Sequence, residues 1–223
     1  MPVFILDEQP IFPPVQDAEP DGLLAIGGDL SPERLLKAYR SGIFPWYDEG
    51  PILWWSPDPR FVLFPADLKI SKSMRPVLNQ DRFSFRMNTA FQDVMEHCGK
   101  VRRSDQDSTW INPDMIESYT RLHKMGYAFS AESWQGDQLV GGLYGIGIGR
   151  LFFGESMFSL QPNASKFAFI KWVNHLQNQG VKLIDCQVYT EHLASLGAKM
   201  ISRGKFLQIL ADNLDDTDAI KIG

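Results

Sequence analysis

A chain of 223 residues can form one domain, or one domain carrying a small second lobe, with a core that needs no staples. Hydrophobic content of 44% with 22% charged residues excludes a largely disordered chain, and two cysteines exclude a disulfide framework or a four-cysteine metal site. The apolar run at the N-terminus ends at Asp7, too short for a signal peptide, and no stretch approaches the roughly 20 apolar residues of a membrane span. The expectation is a soluble, cytoplasmic protein without a membrane partner. Net charge is −5 but unevenly spread: residues 69–103 hold eight basic against three acidic side chains, whereas the first 64 residues hold ten acids and four bases. A solvated face and a phosphate-binding patch both fit the basic segment.

Ten of the fourteen prolines fall before residue 60, which reads as loops and short strands around one helix. Ser31-Pro32 opens that helix as N-cap and first helical residue, Gly42 follows its end, and Leu35, Leu36 and Tyr39 form its buried side. A small N-terminal lobe over 1–61 is therefore expected, followed by an α+β main lobe over 62–223. In the main lobe Asn88 caps a helix bearing Phe91, Val94, Met95 and Cys98 on one face, closed by Gly99. Asn112-Pro113 opens another, stopped by Gly126. A meander follows, with strands near 127–134, 138–148 and 150–158, the first two joined by a turn at Gly136-Asp137. A helix spans 164–178, a central strand 181–188, and a last helical region 191–213 is interrupted around Gly197 and Gly204.

Asp185 sits inside the apolar run KLIDCQV, where alternation places it with Gln187 and Tyr189 opposite Ile184, Cys186 and Val188. A lone carboxylate there costs several kcal/mol, so it is either salt-bridged across the sheet or faces a cleft. Glu155 in RLFFGESMFS poses the same puzzle, and two such acids suggest a pocket that welcomes a cation. The glycines of GGLYGIGIGR lack the Lys-Ser/Thr and following helix of a phosphate loop, and mark bulges or the close approach of another group. The four histidines show no metal-ligand spacing, and Cys186 reads as a packed thiol. Trp46, Trp54, Trp55 and Trp110 stand near loop residues, either as lobe core or as a platform for a nucleobase.

Long blocks among these residues carry a resemblance: DGLLAIGGDLSPERLLKAYRSGIFPWY, PILWWSPDPRFVLFP, STWI, LVGGLYGIGIGRLFFGESMFS, NASK, LIDCQV and HLASLGA. Over almost its whole length the chain resembles the leucyl/phenylalanyl-tRNA–protein transferases. The resemblance implies an acetyltransferase-like (GNAT) main lobe. It also implies transfer of Leu or Phe, less well Met, from aminoacyl-tRNA to the N-terminal Arg or Lys of a protein, marking it for N-degron-dependent degradation. An aminoacyl ester is already activated, so no cofactor or metal is expected. Residue by residue, the resemblance assigns Asp185, Gln187 and Glu155 to the acceptor's amine. Trp46 and Trp110 flank the terminal adenosine, with Tyr39 and Tyr119 nearby. Leu143, Phe152, Met157, Phe169, Leu176 and Ile184 form the donor pocket. Lys100, Arg102 and Arg103 in the basic segment then suit tRNA phosphates. The chain departs from the family pattern at Phe129, where a His is usual, at Thr190, where Asn is usual, and in the sizes of Phe169 and Leu176. An acetyl-CoA enzyme and a non-enzymatic RNA-binding protein are the rival readings.

Overall fold

The computed structural model describes residues 3–48, 50–100 and 111–214. Its proline-rich start builds a small sheet from β1 (Phe4–Leu6), β2 (Leu23–Gly27), β3 (Phe44–Pro45) and β4 (Leu53–Trp55), in the order β1-β2-β4-β3. Helix α1 (Pro32–Arg40) lies between β2 and β3 in the chain. Its start is as the sequence predicts, since Ser31 Oγ accepts the N–H of Arg34 and Pro32 occupies the first turn. Gly42 follows its end at φ +75°. Leu35 and Tyr39 are buried as expected, but Leu36 is half-buried and Arg34 takes the interior position.

The rest of the chain supplies β5 (Arg60–Leu63), α2 (Met74–Asn79), β6 (Ser84–Met87), α3 (Phe91–Lys100) and α4 (Pro113–Lys124). Strands β7 (Ala128–Gln135), β8 (Gln138–Ile148) and β9 (Leu151–Ser159) form the meander. Then come α5 (Ala164–Asn178), β10 (Leu183–Gln187), α6 (Glu191–Ser195), β11 (Lys199–Ile201) and α7 (Arg203–Asn213). Seven of these strands form one mixed sheet, β11-β5-β10-β9-β8-β7-β6, in which β9 and β10 alone run parallel. Two cores cover its faces. One joins the small sheet with α1, α3, α4 and α7; the other is built by α2 and α5, with α6 packed against it. Among the described residues no helix is long and apolar enough to cross a membrane.

Several local expectations change for long-range reasons. Asn88 does not cap α3: it sits at φ 58°, and its side chain accepts the N–H of Ser130. The cap is Glu132, whose buried carboxylate accepts the N–H groups of Thr89 and Ala90 from another strand. Gly99 lies within α3 rather than ending it, and Gly204 lies in the first turn of α7. The region after 191 is two helices separated by β11, an edge strand of three residues that carries no readable periodicity. The glycines of β8 admit the protein's own atoms. A Cβ on Gly141 would lie 2.6 Å from that of Ala164, and one on Gly145 would lie 2.2 Å from the Phe153 carbonyl oxygen.

Candidate active site

Parallel strands β9 and β10 pair only as far as Phe153↔Asp185, and there both become irregular. On β9 the register against β8 passes from Gly145↔Gly154 to Tyr144↔Ser156, so Glu155 is the extra residue of a bulge. On β10 the register against β5 passes from Asp185↔Val62 to Gln187↔Phe61, leaving Cys186 as the extra residue, and Gln187 adopts φ 63°. The bulges change what each face carries. Phe152 and Met157 are five residues apart, which regular alternation would send to opposite faces, yet both pack with the core beneath α5. A cavity of about 450 Å³ opens along these two strands.

One wall of the cavity is apolar: Leu143, Phe152, Met157, Phe169 and Ile184 line it, with Trp46 and Phe44 from the small sheet. Five of the six residues expected in the donor pocket therefore meet. The sixth, Leu176, is a correction: it is fully buried in the core beneath the sheet and is not among the lining residues. The resemblance put it in the donor pocket, but it lies two turns beyond Phe169 along α5. Trp46 lines the cavity, whereas Trp54 is wholly buried core and Trp55 donates its indole N–H to the Trp46 carbonyl. Trp110, Arg102 and Arg103 lie outside the described residues, and Lys100 is exposed beside Glu96.

The other wall is polar. Glu155, only 8% exposed, takes hydrogen bonds on Oε1 from Tyr39 Oη and Gln187 Nε2, both at 2.8 Å, and its Oε2 lies 3.3 Å from Tyr119 Oη. Tyr39 and Tyr119, both fully buried, also hydrogen-bond each other. Burial pushes the Glu155 carboxyl up to about 8, its hydrogen bonds from Tyr39, Tyr119 and Gln187 opposing the rise and the nearby Asp185 adding to it. Burial and the neighbouring carboxyl also hold both phenols well above the ordinary tyrosine range.

Asp185 meets both alternatives of the sequence puzzle, since it lines the cavity and is salt-bridged at the same time. It is wholly buried, and Arg60 grips it with Nε to Oδ1 at 2.8 Å and Nη2 to Oδ2 at 2.6 Å. Arg60 is itself buried between the rings of Phe44 and Phe206, at 4.6 and 4.7 Å. Asp185 Oδ1 also accepts the backbone N–H of Gln187 at 2.9 Å, which holds Gln187 in its left-handed conformation with Nε2 on Glu155. The expected doubly acidic pocket is thus one charge neutralised by an arginine and one carboxyl with a raised pKa. Sequence reasoning missed Arg60; its signal was a cation at the head of the apolar run RFVLF. Tyr189 departs from the predicted alternation and packs at a tilt against Phe61 instead. Cys186 also reaches the cavity, where burial pushes its thiol far above the usual range and keeps it un-ionised. Among the described residues no group of His, Cys, Asp and Glu is arranged to hold a metal ion.

Comparison with known proteins adds independent information. A family model described as leucyl/phenylalanyl-tRNA protein transferase matches residues 62–211, and the model of that family's N-terminal domain matches residues 28–58. A leucyl/phenylalanyl-tRNA–protein transferase of Syntrophobacter fumaroxidans is 59% identical over 217 residues, 97% of this chain and 93% of the relative. One from Christiangramia forsetii is 58% identical over 211 residues, covering 93% of this chain and all of the relative. Among solved structures, a GCN5-related N-acetyltransferase from Kribbella flavida aligns with a TM-score of 0.37 at 10% identity, over 72% of this chain and 57% of that one. A conserved protein of unknown function from Bacteroides thetaiotaomicron aligns with a TM-score of 0.46 at 14% identity, over 61% of this chain and 53% of that one.

Proposed function

Because this chain belongs to the leucyl/phenylalanyl-tRNA–protein transferase family, a family of aminoacyltransferases, we propose that its cavity holds the donor amino acid on the apolar wall and receives the acceptor amine at the Glu155–Gln187 wall. One observation carries the reading: five apolar side chains and the polar pair line a single cavity. The donors are Leu-tRNA and Phe-tRNA, with Met-tRNA used less well. The acceptors are proteins with N-terminal Arg or Lys, and the product is marked for degradation by the N-degron route. The work falls to two lobes, expected at 1–61 and 62–223, although β5 (Arg60–Leu63) belongs as a whole to the seven-stranded sheet.

In this reading the ester of the aminoacyl-tRNA is the activated group, and the protein supplies position. Holding amine and ester in line is worth roughly 7–11 kcal/mol in favourable cases. Leu143, Phe152, Met157, Phe169 and Ile184 hold the donor side chain and fix the direction of its carbonyl. Trp46 and Trp110 stack on the terminal adenosine, Tyr39 and Tyr119 support the same region, and Lys100, Arg102 and Arg103 meet tRNA phosphates. Gln187 and Glu155 contact the acceptor's amine. Asp185 acts through Gln187 as a positioning residue, because both its oxygens are engaged by Arg60 and the Gln187 amide. The test is transfer of radiolabelled Leu from Leu-tRNA to a protein beginning with Arg. Label should appear there and not on the same protein with an acetylated N-terminus. Label on neither, with tRNA still bound, would favour an RNA-binding protein.

A further inference from the structure

Glu155, Tyr39 and Tyr119 form a closed ring of three oxygen–oxygen contacts: Tyr39 to Oε1, Tyr39 to Tyr119, and Tyr119 to Oε2. Each phenol has one proton and donates it to one oxygen of the carboxyl, Tyr39 to Oε1 and Tyr119 to Oε2, so the pair supports the ionised form of Glu155. Both phenols are wholly buried and neither lines the cavity, whereas Glu155 does.

We propose that Glu155 is the catalytic group that takes a proton from the acceptor's α-ammonium, and that Tyr39 and Tyr119 are positioning residues whose hydroxyls donate to its two oxygens and steady its ionised form. The proposal rests on the reading that the acceptor amine meets the Glu155–Gln187 wall. An N–H bond of the ammonium breaks, its electron pair stays on nitrogen, and an O–H bond forms on Glu155. The lone pair attacks the ester carbonyl carbon, the bond to the ribose 3′ oxygen breaks, and that oxygen leaves with the electrons. A second proton passes from nitrogen to the 3′ oxygen, and Glu155 returns its proton to water before the next turnover. One turnover thus gives one amide, one free 3′ hydroxyl and one released proton.

The energetics suit the task. An α-ammonium titrates near ~7.7–8.0, and burial places the Glu155 carboxyl at about 8, so the two compete for the proton almost evenly. The groups facing Glu155 from each packed element are Tyr39 on α1, Tyr119 on α4, Tyr144 on β8, and Asp185, Cys186 and Gln187 on β10. Arg60 on β5 is taken up by Asp185, and His192 on α6 lines the cavity. Burial holds His192 below the ordinary histidine range, leaving it neutral at the pH of interest. Asp185 is held by its arginine, and its charge adds to the rise of the Glu155 carboxyl. The remaining ionisable neighbour with a proton to exchange near neutrality is Glu155 itself.

The experiment uses the full chain, Leu-tRNA and a peptide beginning with Arg, at saturating concentrations across pH values from about 6 to 9.5. Wild-type transfer should rise with pH and level off near pH 8, and the Glu155 carboxyl, followed by carbon NMR against Glu155→Gln, should titrate over the same range. Tyr39→Phe removes a donor to the ionised carboxylate, so titration and rate limb should move up together, with roughly tenfold less transfer at pH 7 and recovery at high pH. Tyr119→Phe is the second variant should the first not fold, and the coincidence of the two wild-type curves is decisive without either. A Glu155 titrating in the ordinary carboxylate range, or a rate limb unmoved in the phenylalanine variants, overturns the proposal. Absence of transfer in the wild type at every pH would instead remove the reading beneath it.

Discussion

Replacing Asp185 by Ala separates a carboxylate that reacts from one that holds the site together. The substitution leaves Arg60 as a cation 1% exposed to solvent, with its Nε and Nη2 both robbed of partners. Breaking a buried ion pair from one side costs about 3–5 kcal/mol, and the rings of Phe44 and Phe206 over the guanidinium argue for the lower half of that range. The Gln187 amide loses its acceptor as well, which offsets that relief by ~1–3 kcal/mol. Against a typical total of about 5–15 kcal/mol the variant folds but melts early. The assay pairs urea unfolding with single-turnover transfer, for Asp185→Ala and for the double variant Arg60→Met/Asp185→Leu. The double variant should regain most of the stability, since an apolar pair of similar volume replaces the ions. Its transfer should stay low, because Gln187 is no longer fixed with Nε2 on Glu155. Lost transfer in an Asp185→Ala protein of wild-type stability would refute the reasoning, as would full transfer in the double variant.

Glu155 is an acid whose pKa is raised on folding, so the folded state keeps its proton longer than the unfolded one. Its contribution to stability therefore falls as pH rises from about 4.5 to about 8, by up to ~1.4 kcal/mol per unit. Glu155→Gln should flatten this slope in unfolding measurements, and an unchanged slope would contradict the assignment. In the donor pocket, Leu and Phe should transfer ahead of Met with Ile and Val poor, because branching at Cβ widens the side chain near the backbone; each missing methylene costs ~1–3 kcal/mol. Transfer from matched tRNAs checks this, and equal rates for Ile and Leu would remove the selective neck. Trp46→Ala should weaken a short aminoacyl-adenosine analogue by ~1–3 kcal/mol in calorimetry, as expected of a lost stacking surface. Neutralising Lys100, Arg102 and Arg103 together should flatten the salt dependence of tRNA binding and leave the analogue unaffected; an unchanged slope would return them to a solvated face.

What could be read in the sequence followed the range of the interaction that decides it. The bounds of β8 and α5, and the caps at Ser31 and Asn112, depend on neighbours a few residues away, and they stand where the pattern puts them. The cap of α3 comes from Glu132, forty-two residues beyond Ala90, so the nearer Asn88 was the natural but mistaken choice. Glu155 and Asp185 stood out because an acid in an apolar strand demands a partner. Which partner each has was hidden: Arg60 lies 125 residues from Asp185, and Tyr39 lies 116 from Glu155. The bulges at Glu155 and Cys186 were invisible as well, and they decide which side chains share the cavity. Leu176, placed in the donor pocket by the resemblance, lies two turns beyond Phe169 along α5 and is not among the cavity's lining residues.

The central claim is that one cavity holds the donor side chain against β9 and turns its carbonyl toward Glu155 and Gln187. A crystal structure with a non-hydrolysable phenylalanyl-adenosine analogue tests it most directly. The account predicts the phenyl ring among Leu143, Phe152, Met157, Phe169 and Ile184, the adenine against Trp46, and the carbonyl carbon within reach of an amine bound at Glu155. An analogue bound with its phenyl ring outside the cavity would contradict it.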